Sequence, residues 1–217
     1  MYNLTLYYRE KRKFRLIKNR NLKPLYNRIF VQIKKKFQDE IVTDSGITFY
    51  KDTSFNPEEN STVSGIVVGI PSVVDKVNVS PDFKHNVLIG DKLYFNFNVV
   101  LDSDNLIIHE GEEYWTVDYW NAIALVRDGQ IIPVGDYILV DPVQEEITSS
   151  IIHIPDAYKK KEGNRGLVFA SNDPEIPSGI EVEYDPIGKF WNIIEGNKLY
   201  CMYNSNIYFK YEVVTLK

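Results

Sequence analysis

The chain has 217 residues, 44% of them hydrophobic and 13% aromatic, and a formal net charge of −5. That is enough apolar material for one or two modest cores. It excludes a transmembrane helix, since no window of about twenty apolar residues exists, and its one cysteine, Cys201, excludes an internal disulfide and fits a reducing compartment.

Taken in order, the chain opens on a basic arm, residues 1–21. Arg9, Lys11, Arg12, Lys13, Arg15, Lys18 and Arg20 stand against Glu10, a net +6 that leaves −11 for the rest of the chain. The arm lacks the apolar stretch of a secretory signal. Interleaved Tyr7, Tyr8, Phe14, Leu16 and Ile17 suit contact with an acidic partner or RNA. The plainer reading is a solvated tail, or an added edge strand blunted by Lys and Arg. An acidic body argues against a general nucleic-acid binder.

Leu25–Lys35 is expected as a strand, with Ile29, Val31 and Ile33 on one face and Phe30 the exception to the alternation. Residues 43–64 read as a long polar loop carrying Ile47, Phe49, Tyr50 and Phe55. A loop of that length in a compact domain is functional or disordered. Gly65–Ile70 is a short apolar strand. Pro71–Asn86 is an excursion with its own alternation, and Val87–Asn96 enters a strand through Gly90-Asp91. Two strands are expected about Glu110-Gly111, then a single turn at Asp118–Asn121, then a strand at Ala122–Val126. Arg127-Asp-Gly-Gln130 joins this strand to the next as a tight hairpin, because Asp-Gly tolerates two positive φ angles. Short strands separated by Gly, Pro, Asn and Asp turns indicate an all-β protein of barrel or sandwich type.

The hairpin divides two similar halves. Pro24–Val31 resembles Pro133–Val140, Gly65–Val68 resembles Gly166–Phe169, and Gly90–Tyr94 resembles Gly196–Tyr200. Shared order at similar offsets implies duplication of a unit of about one hundred residues. The expected units are 22–128 and 131–217, the second with a shortened or altered closing end.

Motifs for catalysis are missing. His85, His109 and His153 are scattered, with no Cys/His cluster to bind metal. Asp102-Ser-Asp104 lacks the glycine of a calcium loop and reads as an ordinary turn. There is no nucleophile elbow, P-loop or dinucleotide fingerprint. Cys201, within Leu-Tyr-Cys-Met-Tyr, reads as a packed small hydrophobe. The chain therefore reads as a non-enzyme without cofactor or metal.

The more specific signal is Ser150–Gly166. Ile152-His153-Ile154 precedes Pro-Asp, a lysine-rich run and a glycine that opens an apolar strand. Ser45-Gly-Ile47-Thr48-Phe49, then a polar run to Gly65, is its counterpart in the first half. These loops resemble the mobile loop of GroES-type co-chaperonins. Leu22–Val31, Val87–Phe95 and Glu112–Val126 resemble the opening strand, the Val-Gly-Asp strand and the closing segment of that family, with Asn27 where an acid is usual and Asp136 restoring it. The resemblance implies two tandem, irregular and partly open β-barrels with long mobile loops. It implies subunits in a homo-oligomeric ring that caps a GroEL-like chaperonin when nucleotide is bound, in a bacterial or phage-infected cytoplasm. Its docking residues fall at Ile47, Thr48, Phe49, Ile152, His153 and Ile154. Thr48 and His153 replace the apolar residue favoured at the centre of each triplet. No membrane is implied, and nucleic acid only through the arm. The alternative is a structural or assembly protein of a virion that reuses the same barrel, which the basic arm and the Asn-, Lys-, Ile- and Tyr-rich usage of an AT-rich genome favour.

Overall fold

The computed structural model describes residues 22–43, 45–50, 52, 56, 60–71, 86–146 and 160–211. The first half runs through β1 (Arg28–Gln32), β2 (Glu40–Val42), β3 (Thr48–Tyr50), β4 (Ser64–Gly69) and β5 (Lys92–Phe95). A one-turn helix α1 (Asn98–Leu101) follows, then β6 (Leu106–His109), β7 (Glu112–Asp118) and β8 (Ala122–Arg127). After β9 (Gln130–Pro133) come β10 (Tyr137–Glu146), β11 (Lys160–Ser171), β12 (Glu181–Tyr184), β13 (Phe190–Ile194), β14 (Asn197–Tyr203) and β15 (Ile207–Tyr211). The protein is mostly β, and every strand pairing among the described residues is antiparallel. No helix among them is long and apolar enough to cross a membrane.

Two large sheets share one plan. The first has the order β6-β7-β1-β4-β5-β8-β9 and the second β13-β14-β10-β11-β12-β15. Neither ladder closes into a barrel among the described residues, so each sheet keeps two edges. The correspondence holds residue by residue. Phe30 faces Gly69 and Val31 faces Val67, with a register shift between them. Leu139 faces Ala170 and Val140 faces Val168, with the shift in the same place. Arg28 lies opposite Asp118 as Tyr137 lies opposite Tyr203. Leu93 bridges Gly65 and Leu125 as Val182 bridges Gly166 and Lys210.

This register corrects one match read from the sequence. The counterpart of Gly90–Phe95 is Gly179–Tyr184, not Gly196–Tyr200. Gly90 N–H bonds the Val67 carbonyl at 2.8 Å, and Gly179 N–H bonds the Val168 carbonyl at 2.7 Å. Gly196 instead turns β13 into β14, as Gly111 turns β6 into β7. Glu110-Gly111, Asp128-Gly129 and Glu195-Gly196 all have two successive positive φ angles, the hairpin turn that follows strand twist. Among the described residues, β13, β14 and β15 of the second unit take the sheet positions of β6, β7 and β8 in the first. The connection from β4 to β5 takes a long excursion that β11 to β12 replaces with Asn172–Ile180. The alternation at Val73–Val79 lies outside the described residues, as does the arm.

The opening strand is shorter than the pattern suggests, because Tyr26 adopts φ 57° and turns the chain just ahead of Arg28. Within β1, Ile29 and Val31 enter the first core with Val67, Leu93, Phe95 and Val117. Phe30, on the other face, is also buried and has the Tyr114 ring 6.5 Å away. Ile138, Val140, Val168, Val182 and Met202 form the matching second core. A third cluster joins the units: Tyr94, Ile123 and Ala124 of the first pack on Tyr137, Leu139, Ala170, Leu199 and Cys201 of the second.

Candidate functional site

Beyond β1 and β4 the two chains stay paired as a stem. Phe37 bridges Ser61, Gln38 N–H bonds the Asn60 carbonyl at 2.7 Å, and Thr62 N–H bonds the Lys36 carbonyl at 2.9 Å. The Thr62 hydroxyl donates to the Lys35 carbonyl at 2.6 Å. The Lys36 ammonium lies 5.3 Å from the Phe37 ring and 5.8 Å from Trp115, tying the stem to the first sheet. Lys35 holds Glu40 at 2.6 Å, and that bond raises the lysine pKa.

The stem carries the hairpin β2–β3, with Ile41 opposite Phe49 and Val42 opposite Thr48. Residues 43–64, read as an open loop, thus contain a short strand. Thr43 builds the turn. Its N–H bonds the Ile47 carbonyl at 2.9 Å, its hydroxyl oxygen accepts the Ile47 N–H at 3.1 Å, and its carbonyl accepts the Gly46 N–H at 2.8 Å. Gly46 sits at φ +80°, where a side chain would strain the turn.

Ile47 and Phe49 point to one side of the hairpin by strand alternation. Both are 56% exposed, and Tyr50 is 75% exposed. Thr48 between them is exposed as well. The structure thus brings three of the six candidate residues together at one projecting tip. Tyr50 adds apolar surface that the triplet pattern overlooked, although it follows directly in the sequence. Ile152, His153 and Ile154 lie outside the described residues. In the second unit β10 and β11 stay paired as far as Glu146 opposite Lys160. The lysine-rich run therefore ends within β11 rather than within the loop.

The residues weighed for catalysis are engaged otherwise. His109 is buried beside Glu110, with 4.0 Å from Nε2 to the nearer carboxylate oxygen. Asp102 accepts the Asp104 N–H at 2.9 Å, an ordinary turn bond. Cys201 is buried, and burial pushes its thiol pKa far up. A groove between the units is lined by Gln38, Ser61, Lys92, Tyr94, Phe97 and Trp191 among others, with no carboxylate among the described lining residues. No family model matches the chain, and no curated protein matches it.

Proposed function

We propose that this chain is a tandem co-chaperonin of the GroES type, which caps a GroEL-like chaperonin chamber in the nucleotide-bound state and assists protein folding. The observation that carries the reading is the projecting hairpin, whose turn is held by Thr43 and Gly46 while Ile47 and Phe49 stay exposed. Burying two such side chains in a partner's groove contributes about 2 kcal/mol each. The hydrogen-bonded turn lowers the entropy lost when the tip docks, since part of the loop is already ordered. One tip still binds weakly. Several tips on one assembly bind together through effective concentration, and release together when one weakened contact tips the balance. The shared sheet order of the two units supports two such tips per chain.

The test is capture of a GroEL-like ring by the purified full chain, with and without ATP. Binding should need nucleotide. Ile47→Ser with Phe49→Ser should weaken it tenfold or more, by about 1.4 kcal/mol or more, while the melting temperature stays put, because neither side chain is packed. Ile152→Ser with Ile154→Ser should act in the same direction. Capture unchanged by all four substitutions would refute the assignment. The structural reading, a virion or assembly protein, is favoured by the +6 arm. Co-purification with capsid or tail proteins and no chaperonin would select it.

A further inference from the structure

Among the described residues β13 is an edge strand of the second sheet, and its Trp191, Asn192 and Ile193 line the groove between the units. The Glu195-Gly196 turn fixes which of its main-chain groups are free. Ile194 and Asn197 flank that two-residue turn and so form a hydrogen-bonded pair. Alternation along an antiparallel ladder then puts Trp191, opposite Tyr200, and Ile193, opposite Lys198, in the pairs without hydrogen bonds. The N–H and C=O groups of Trp191 and Ile193 therefore point away from β14, along the rim of the groove.

One side chain in the groove is out of keeping with its surroundings. Asn192 is 6% exposed, and its amide has no hydrogen-bond partner among the described residues. Buried amides are nearly always paired. Its neighbours on the same strand face, Phe190 and Ile194, pack into the cluster shared by the units. The Asn192 amide is thus directed toward the first unit, whose wall of the groove includes Ser64, Lys92, Tyr94 and Asn96. The cavity is about 510 Å³, within the range of built ligand sites.

We propose that this groove binds an extended peptide segment of another protein, added as a single strand to the free edge of β13. The outward groups of Trp191 and Ile193 have the spacing that a partner strand's main chain meets. The Asn192 amide finds its partner in the same main chain, since an amide both donates to and accepts from a peptide unit. A sugar offers hydroxyls but no such register. The cavity takes about three residues of extended chain at roughly 3.4 Å each, which suits one strand and not the edge of a second sheet. Its rings, Phe97, Phe190 and Trp191, receive apolar side chains. Lys92 lines it and no described carboxylate does, so neutral or acidic side chains fit and basic ones do not. Unfolded chains present such segments and folded ones hide them. The groove thereby gives the protein a direct grip on unfolded polypeptide, beyond any capping role. No chaperonin is needed for it, so its failure and the failure of the loop reading are separable.

The experiment is fluorescence polarisation of a labelled, capped hexapeptide of alternating valine and threonine ending in aspartate, titrated with the full chain. Binding should saturate and should slow amide exchange across 190–194. Ile193→Pro removes an N–H that is unpaired among the described residues, and edge strands tolerate proline. It should weaken binding about tenfold or more, whereas Ile193→Thr, which keeps the N–H, should lose far less. Asn192→Leu should weaken binding severalfold while the melting temperature holds or rises, because it removes a buried amide without a partner. A probe N-methylated at its central amide should bind about tenfold more weakly, a check that does not depend on how the variants fold. Equal binding of the plain and N-methylated probes, no peptide binding, or slowed exchange with maltotriose in place of the peptide overturns the proposal.

Discussion

Asp91 and Arg127 form a two-point ion pair in the first unit. The guanidinium donates through Nε to Oδ1 at 2.9 Å and through Nη2 to Oδ2 at 2.7 Å, and the same Nη2 reaches the Asn86 carbonyl at 2.8 Å. Leu88 N–H bonds Oδ2 at 2.7 Å. Burial alone would raise the Asp91 pKa, but the Arg127 bonds and the Leu88 N–H outweigh it and hold the carboxyl below its ordinary value. The pair clamps the segment ahead of β5 onto the end of β8. Arg127→Ala leaves a buried carboxylate without its counter-ion and should cost about 3 kcal/mol at neutral pH. A depressed folded pKa means the stabilisation is full above the unfolded value and is lost as pH falls through the folded one. Urea denaturation should therefore show Asp91→Asn costing more at pH 7 than at about pH 3. In the second unit Ile180 stands where Asp91 does, so that unit has no such acid sensitivity at this point.

At the scale of elements, two glycines let paired strands approach closely. A Cβ on Gly65 would lie 2.8 Å from the Gln32 carbonyl oxygen. A Cβ on Gly166 would lie 2.6 Å from the Asp141 carbonyl oxygen, the repeat equivalent of Gln32, and would also strike the Val140 side chain. Gly65→Ala and Gly166→Ala should each destabilise by about 1–3 kcal/mol, read as a lowered denaturation midpoint with unchanged slope. These glycines were legible in the sequence, since each stands ahead of an apolar run and the pair sits at matched positions, although Gly166 lies within β11 rather than at its start. The Glu110-Gly111 and Asp128-Gly129 hairpins were legible too, because few residues accept such turns, whereas the Glu195-Gly196 hairpin was missed. The match of Gly90–Tyr94 to Gly196–Tyr200 went astray for a physical reason too. Both follow a left-handed glycine and place a leucine inward, so local chemistry made them alike while their partners differ. Strand β3 was hidden because its residues are exposed, and alternation is the imprint of burial.

For the whole molecule, the junction decides whether two units behave as one. Tyr137 and Tyr203 stack with centroids 4.4 Å apart, and both hydroxyls donate to the Trp120 carbonyl, at 2.9 and 3.1 Å. Leu139, fully buried, lies in the cluster shared by both units. Lys92 meets Glu195 across the junction at 2.6 Å, but both side chains are about two-fifths exposed. Solvent screens so exposed a pair and leaves it a small contribution, so the apolar cluster dominates. Calorimetry should show one unfolding transition, and Leu139→Ala should lower it as a whole, by about 2–5 kcal/mol. Two separated transitions would mean the units fold independently. Cys201, walled in at the same junction, should react with thiol reagents only as that transition proceeds.

The proposed function requires the exposed, hydrogen-bonded hairpin to grip a larger ring only when nucleotide is bound. Amide hydrogen exchange across residues 45–50 tests it most directly, with the full chain alone, with a GroEL-like chaperonin, and with the chaperonin plus ATP. The account predicts fast exchange at this tip in the first two states and strong protection in the third. Protection that is absent with ATP, or already complete in the chain alone, would contradict it.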